Sequence, residues 1–124
     1  IEEEFIPEIQ MIHTSGHSNG HCIILLKQGE DTMIHMGDLM LTHAHRNPLW
    51  VPAVDDYPMK SISAKEKWLK KAFENGYKFF FYHDQFFAVA EFDKEGKEFV
   101  NYVLRSRPPV IPFTEQQDRR PDFL

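Results

Sequence analysis

Five consecutive apolar residues, Cys22 to Leu26, restrict the folds that are open to this chain. A continuous apolar run of this length is typical of a strand covered on both faces, because an open hairpin would alternate apolar and polar residues. A turn signal, QGED, follows at residues 28–31, and a second apolar run covers residues 32–38. Together with the run at residues 8–14, these segments predict three strands of one sheet.

One main helix is predicted in the second half of the chain. The pattern SAKE at residues 63–66 is typical of a capping box, and apolar residues then recur at helical spacing until Asn75 and Gly76 end the helix. The lysines of this segment are expected to form a solvated face. They are Lys65, Lys67, Lys70 and Lys71.

The remaining segments complete an α/β (α+β) domain with a mixed sheet. Residues 77–84 predict a buried strand, and residues 86–93 and 97–104 predict a terminal hairpin. Residues 43–60 contain three prolines and no sustained period, which predicts a long irregular loop of the kind that often carries function. The proline-rich residues 105–124 predict an extended tail.

Length and charge exclude several classes of function. The 124 residues suit a single domain, and the net charge of -5 is spread over mixed acidic and basic stretches, which predicts no basic face for nucleic acid. No apolar run approaches the roughly 20 residues of a membrane-spanning helix. A single cysteine, Cys22, forms no internal disulfide, and we expect a cytoplasmic location. Because the chain begins at Ile1, we expect a processed product or a piece of a longer polypeptide.

A glycine-containing histidine loop follows the first predicted strand. The segment HTSGHSNGHC at residues 13–22 holds three of the seven histidines, and its small residues favour turns over a helix. Loops after strands can meet at one edge of a sheet, which makes His17, Asp38 and His83 candidates for a divalent metal site. Taken singly, each is more typical of a hydrogen-bonded histidine or a turn residue than of a metal ligand, and their order and context are what favour a metal site.

The ordered segments TSGHSNGH, MIHMGD and FFFYHD resemble the third, fourth and fifth metal motifs of the metallo-β-lactamase superfamily, over residues 9–93. The resemblance implies that His17 binds the first of two metal ions and that His83 binds the second. It also implies that Asp38, the one catalytic residue it assigns, bridges both ions.

Other residues receive weaker roles from the same resemblance. It implies that His21 orients the histidine loop, and it makes Thr14 and Asn19 candidates for holding the ligands in place. Two histidines of the long loop, His43 and His45, are candidates for lining a substrate pocket.

The segment THAHRNPLWVPAVDDYPM at residues 42–59 is most similar to the branch that contains the N-acyl-homoserine lactonases and related quorum-quenching hydrolases. The resemblance implies two divalent ions, zinc first and manganese or iron as alternatives, which hold a hydroxide that attacks a lactone or ester carbonyl. Thioester and phosphodiester hydrolysis remain alternatives within the superfamily.

The chain lacks the His-x-His-x-Asp-His motif with which members of this superfamily begin their metal site. It therefore resembles the C-terminal half of the αβ/βα sandwich over residues 1–104, with residues 105–124 as the tail. The resemblance implies an N-terminal half as partner and a small-molecule substrate. Because monomers rarely leave a large apolar face in water, we expect either that half or a second copy of this chain, in a homodimer, to cover the sheet face that the missing half would occupy. The alternative is a metal-poor, inactive half-domain or scaffold, since two protein ligands for each ion are fewer than stable zinc sites use. We expect the 124 residues alone to be inactive.

Overall fold

A seven-stranded mixed sheet forms the body of the chain in the computed structural model, which describes residues 2–6 and 8–106. The strands lie side by side in chain order. All neighbouring pairs are antiparallel except β4 and β5, which are parallel. The strands are β1 (Glu2–Ile6), β2 (Ile9–His13), β3 (Cys22–Gln28), β4 (Asp31–His35), β5 (Lys78–Phe80), β6 (Phe87–Phe92) and β7 (Phe99–Leu104).

The main helix, α1 (Pro58–Glu74), forms the crossover between the two parallel strands. Pro58 stands at its first position, where a missing N–H costs no hydrogen bond. The helix ends as predicted, at Asn75 and at Gly76 with φ +64°. Its predicted start was wrong, because the capping-box pattern at residues 63–66 lies inside the helix.

The predicted solvated face of α1 is wrong for Lys65. Its exposed fraction is 0%, and its ammonium donates hydrogen bonds to the carbonyls of Asn47 at 3.0 Å and Trp50 at 2.7 Å. Lys67, Lys70 and Lys71 are exposed as predicted. One lysine of the helix therefore points into the protein, a direction that the sequence alone did not distinguish.

The core lies between α1 and one face of the sheet. The helix contributes Trp68, Leu69 and Ala72, and the strands contribute alternate residues. The strand residues are Ile12, Ile23, Leu25, Ile34, Phe79, Ala90 and Phe92.

The opposite side of the sheet, here called the outer face, carries apolar side chains that are only half-buried. Strand registers align them across four neighbouring strands, since Met11 pairs with Ile24 and Leu26 pairs with Met33. Phe80 lies on the same face, two residues beyond the Lys78 that pairs with Met33. The apolar run of β3 is thus fully covered on one face and partly covered on the other.

Most predicted strands are confirmed. The strand predicted at residues 77–84 is shorter, because only residues 78–80 pair, and β1 was not predicted. The mixed sheet, single main helix and terminal hairpin agree with the predicted fold class. Almost all of the predicted tail, from residue 107 onward, lies outside the described residues. Within the described part of the chain, no helix has both the length and the apolar character needed to cross a bilayer.

Candidate metal site

The three predicted metal ligands meet at one edge of the sheet. His17 Nε2 lies 3.1 Å from Asp38 Oδ2, and His83 Nε2 lies 3.4 Å from Asp38 Oδ1. Each oxygen of the carboxylate therefore faces a different imidazole. The structure brings together three residues that are far apart in the chain, and their role as ligands stays a prediction.

The histidine loop is shaped by backbone conformations that bring it against α1. The N–H groups of Thr14 and Ser15 both donate to the His21 carbonyl, at 2.9 and 3.0 Å, and close the loop. Gly16 has φ +99°, and a Cβ at this position would lie 2.6 Å from Ser61 Oγ. Glycine is needed here because it alone fits both the backbone angle and the close approach of the helix.

Asp55 orients His17 and was not predicted. Its side chain is fully buried, and its Oδ1 accepts a hydrogen bond from His17 Nδ1 at 2.8 Å. Its other oxygen accepts a hydrogen bond from Ser61 Oγ at 2.6 Å. Because an ionised carboxylate only accepts, Nδ1 of His17 carries a proton, and Nε2 is the ring nitrogen that faces Asp38. Metal-binding histidines are commonly held by a carboxylate in this way.

His21 and Thr14 hold the loop that contains Asp38. His21 Nε2 accepts a hydrogen bond from the Asp38 backbone N–H at 3.0 Å, and its Nδ1 bonds Thr14 Oγ1 at 2.9 Å. Burial, followed by the nearby His17, lowers the pKa of His21, against the opposing charges of Asp38 and Asp55. A neutral ring is what this geometry requires, since a protonated Nε2 could not accept a hydrogen bond.

Gly37, beside Asp38, explains the glycine of the MIHMGD motif. It has φ +57°, and a Cβ would lie 2.5 Å from His21 Nε2. A side chain at this position would therefore displace the imidazole that supports the Asp38 backbone. Gly37 of one motif and His21 of another therefore pack directly against each other, and the lack of a side chain at Gly37 makes this contact possible.

The other predicted residues have contacts of different kinds. The Asn19 carbonyl bonds His13 Nε2 at 2.6 Å. His45 Nδ1 bonds Thr42 Oγ1 at 3.0 Å and caps the short 3-10 turn His43–Arg46. His43 Nδ1 donates to Asp84 Oδ2 at 2.6 Å. These contacts do not test a role in a substrate pocket, which stays a prediction for His43 and His45.

Tyr82 is a further residue of the site that sequence reasoning missed. Its hydroxyl donates to Asp38 Oδ1, the oxygen that also faces His83. Its ring stacks on His35 with centroids 5.1 Å apart. Burial, with the hydrogen bond and charge of Asp38, raises the pKa of Tyr82 to about 12. The hydroxyl is therefore a protonated donor at neutral pH, and its place next to His83 in FFFYHD was the available signal.

Asp84 holds the turn that carries His83. It is 1% exposed, and its Oδ1 accepts hydrogen bonds from the backbone N–H groups of Phe86 and Phe87, both at 2.9 Å. Its Oδ2 accepts from the backbone N–H of His43 at 2.8 Å. Burial acts to raise the pKa, but these N–H groups and the His43 ring outweigh it and lower the pKa of Asp84 to about 2.

We expect this carboxylate to contribute about 2 kcal/mol to the free energy of unfolding at neutral pH. Because the pKa lies below its ordinary value of 3.8, the contribution is complete above that pH and is lost as pH falls toward 2. Urea unfolding of wild type and Asp84→Asn from pH 7 to pH 3 measures it. The difference between the two proteins should shrink on acidification, with Asp31→Asn as an exposed-carboxylate control. A difference that stays constant over this range would contradict the assignment.

The donor atoms fit a pair of divalent ions that share one carboxylate. Imidazole nitrogen and carboxylate oxygen are zinc ligands, and ligand atoms around a tetrahedral zinc ion lie about 3.3 Å apart, close to the two separations above. The site consists of two His–Asp pairs that share Asp38. No group of three or more His, Cys, Asp or Glu side chains able to hold one ion occurs in residues 2–6 and 8–106.

Comparison with known proteins places the fold. No protein-family model and no curated protein matches the chain. A probable metal-dependent hydrolase from Staphylococcus aureus has 42% sequence identity and a TM-score of 0.84 over 87% of this chain. A hydrolase in the beta lactamase superfamily has 21% identity and a TM-score of 0.66 over 86% of this chain. The chain therefore shares its fold with metal-dependent hydrolases, one of which is a member of the beta lactamase superfamily.

A dizinc quorum-quenching lactonase, solved with the product N-hexanoyl-L-homoserine, matches this chain at 15% identity with a TM-score of 0.66 over 86% of the chain. This third likeness supports the fold alone. The chain spans 39% of the length of the Staphylococcus aureus structure and 37% of each of the other two.

Proposed function

We propose that this chain supplies the C-terminal half of a metal-dependent hydrolase that opens a lactone or an ester. The observation that carries the proposal is the Asp38 carboxylate, whose two oxygens face His17 and His83 separately. A carboxylate can hold two ions at once in this position, whereas an imidazole cannot. The 42% identity to a probable metal-dependent hydrolase supports the same reaction class.

In this proposal His17 and Asp38 hold one ion, and Asp38 and His83 hold the other. Zinc suits these ligands best, with manganese or iron as alternatives. When bound, such ions lower the pKa of a coordinated water toward about 7 and polarise the carbonyl group of the substrate.

The residues around the ligands prepare them for binding. Asp55 accepts a hydrogen bond from His17 Nδ1, which leaves Nε2 as the ring nitrogen for the ion. His21 holds the backbone of Asp38 through its N–H. Tyr82 holds one oxygen of the carboxylate with a hydroxyl that stays protonated at neutral pH. Asp38 is thus restrained from its backbone and from its side chain.

Each ion would have two protein ligands from this chain, whereas stable zinc sites use three or four. We therefore propose that an N-terminal half carrying the His-x-His-x-Asp-His motif supplies the others. Its place is the outer face of the sheet, whose apolar side chains are only half-buried. The length of the Staphylococcus aureus structure, of which this chain spans 39%, leaves room for such a half. Alternatively, a second copy of this chain packs against the outer face and forms a homodimer.

An assay of the chain combined with an N-terminal half and loaded with zinc tests the function. An N-acyl-homoserine lactone, a thioester and a phosphodiester are offered in parallel, before and after chelation. We expect metal-dependent opening of the lactone, which zinc restores after chelation. If only the thioester or only the phosphodiester is hydrolysed, the proposed substrate class of lactones and esters is wrong, and the hydrolysed compound identifies the correct class. A zinc-loaded protein that hydrolyses none of them would support the inactive scaffold.

A further inference from the structure

A fully buried lysine contacts the segment that precedes α1, and the proposed hydrolysis does not use it. Lys65 lies within α1, has an exposed fraction of 0%, and donates to the carbonyls of Asn47 and Trp50 at 3.0 and 2.7 Å. Both carbonyls belong to residues 47–57, the segment between the short 3-10 turn and α1. This segment contains Asp55, the carboxylate that orients His17.

A second residue on the same face of α1 also forms a hydrogen bond to this segment. Ser61 is also 0% exposed and lies four residues before Lys65, so the two side chains project from one side of the helix. The Ser61 hydroxyl donates to Asp55 Oδ2 at 2.6 Å. Residues 47–50 and Asp55 are therefore attached to the helix by neighbouring polar side chains.

The far end of the segment is joined to the histidine loop by its backbone. The N–H of Asp56 donates to the His17 carbonyl at 3.1 Å, and the N–H of Tyr57 donates to the Gly16 carbonyl at 2.9 Å. A shift of residues 47–57 away from α1 would therefore move Asp55 and the backbone of His17 together. The position of the His17 ring depends on how firmly this segment is held.

A buried ammonium is a costly means of holding a loop for stability alone. Removing a charge from water costs several kcal/mol unless its new contacts compensate, and apolar replacements are often neutral or stabilising. Burial lowers the pKa of Lys65 to about 8, and the charge of Asp55 opposes that shift. The folded protein thus tolerates the charge at a cost, which suggests that the position of the loop is what it secures.

We propose that Lys65 is a positioning residue for the candidate metal site, because its two bonds to residues 47–50 keep Asp55 on the Nδ1 of His17. The imidazole is then held in the orientation in which Nε2 faces Asp38. The effect on metal binding rests on the proposed function, whereas the effect on the loop does not.

Amide hydrogen exchange on the metal-free 124-residue chain tests the loop. Lys65→Met removes the donor but keeps an apolar stem, and Lys70→Met is the matched control on the exposed side of α1. We expect the amides of Asp56 and Tyr57 to exchange at least roughly tenfold faster in Lys65→Met, as local opening allows. The amide of Leu69 in the core of the helix should stay within about twofold of wild type.

The Nδ1–H resonance of His17 supplies a readout that a purely structural role would not change. We expect the Nδ1 proton of His17, which is bonded to Asp55, to be protected from exchange with solvent in wild type and in Lys70→Met, and to exchange faster in Lys65→Met. If Lys65→Met does not fold, Lys65→Gln, which is shorter and uncharged, replaces it in both measurements. Uniformly faster exchange that includes Leu69, or no change at Asp56 and at the ring of His17, would overturn the proposal.

Zinc affinity separates this proposal from the proposed function. In the protein with both halves, we expect Lys65→Met to weaken zinc binding by roughly 10- to 100-fold, the range seen when a ligand loses its supporting contacts. Wild type that binds no zinc would contradict the proposed function, and the exchange rates of the loop amides and of the His17 ring proton would still decide the role of Lys65. Tight zinc binding in wild type and equally tight binding in Lys65→Met would overturn the positioning role.

Discussion

Asp38→Ala is expected to reduce both zinc binding and hydrolysis more than His17→Ala in the protein that contains both halves. The two oxygens of Asp38 face different histidines, so in the proposed site its loss would remove a ligand from both ions at once. It would also remove the negative charge that offsets the repulsion between two bound dications. We expect activity to fall by at least roughly a thousandfold for Asp38→Ala and about a hundredfold for His17→Ala.

Elemental analysis after dialysis and initial rates of lactone opening give the two measurements. Asp38→Asn is an informative companion variant, because it keeps the shape of the side chain and one carbonyl oxygen but loses the charge. We expect it to retain more zinc than Asp38→Ala and less than wild type. Asp31→Ala removes an exposed carboxylate at the start of β4 and controls for a general effect of charge. Equal losses in Asp38→Ala and His17→Ala would contradict the shared-ligand assignment.

The chain alone is expected to lose its metal on dialysis, and the chain combined with an N-terminal half is expected to retain two equivalents. The reason is the ligand count, since this chain offers two protein ligands for each ion and a stable zinc site needs three or four. Elemental analysis before and after addition of the second half measures the change. Activity should appear together with the second equivalent.

Variants of the outer face test whether metal retention depends on the N-terminal half packing against that face. Ile24→Glu places a charge among the half-buried apolar side chains of that face, and we expect it to prevent association and metal retention together. Lys70→Glu, on the exposed side of α1, changes the charge more and should leave both unchanged. If the chain alone kept two equivalents of zinc after dialysis and opened a lactone at an undiminished rate, the half-site proposal would be wrong.

The individual elements were largely predictable because their signals are local. The apolar run at residues 22–26 predicted β3, and the pair Asn75 and Gly76 predicted the end of α1. The start of α1 was not predictable from its capping-box pattern, because Pro58 begins the helix and a similar pattern also occurs within it. The strand at residues 77–84 was predicted too long, since Asp84 binds backbone N–H groups there and turns the chain.

Some residues of the candidate site could be predicted from local patterns, and others could not. His17, Asp38 and His83 were recognisable from their order and from the glycines beside the first two. Asp55 lies 38 residues from His17. Nothing in its neighbours distinguishes it from Asp56, whose backbone rather than side chain contacts the histidine loop.

By itself, the sequence predicted most of the strands, the end of the helix and the candidate positions His17, Asp38 and His83, because each depends on neighbours in the chain. Only the tertiary structure decided that Lys65 is buried, that Asp55 orients His17 and that Tyr82 reaches Asp38. The reason is that burial and hydrogen bonding between distant segments depend on how α1 and the loops pack at one sheet edge. A local pattern states what a side chain is able to do, whereas the folded chain determines which partner it meets.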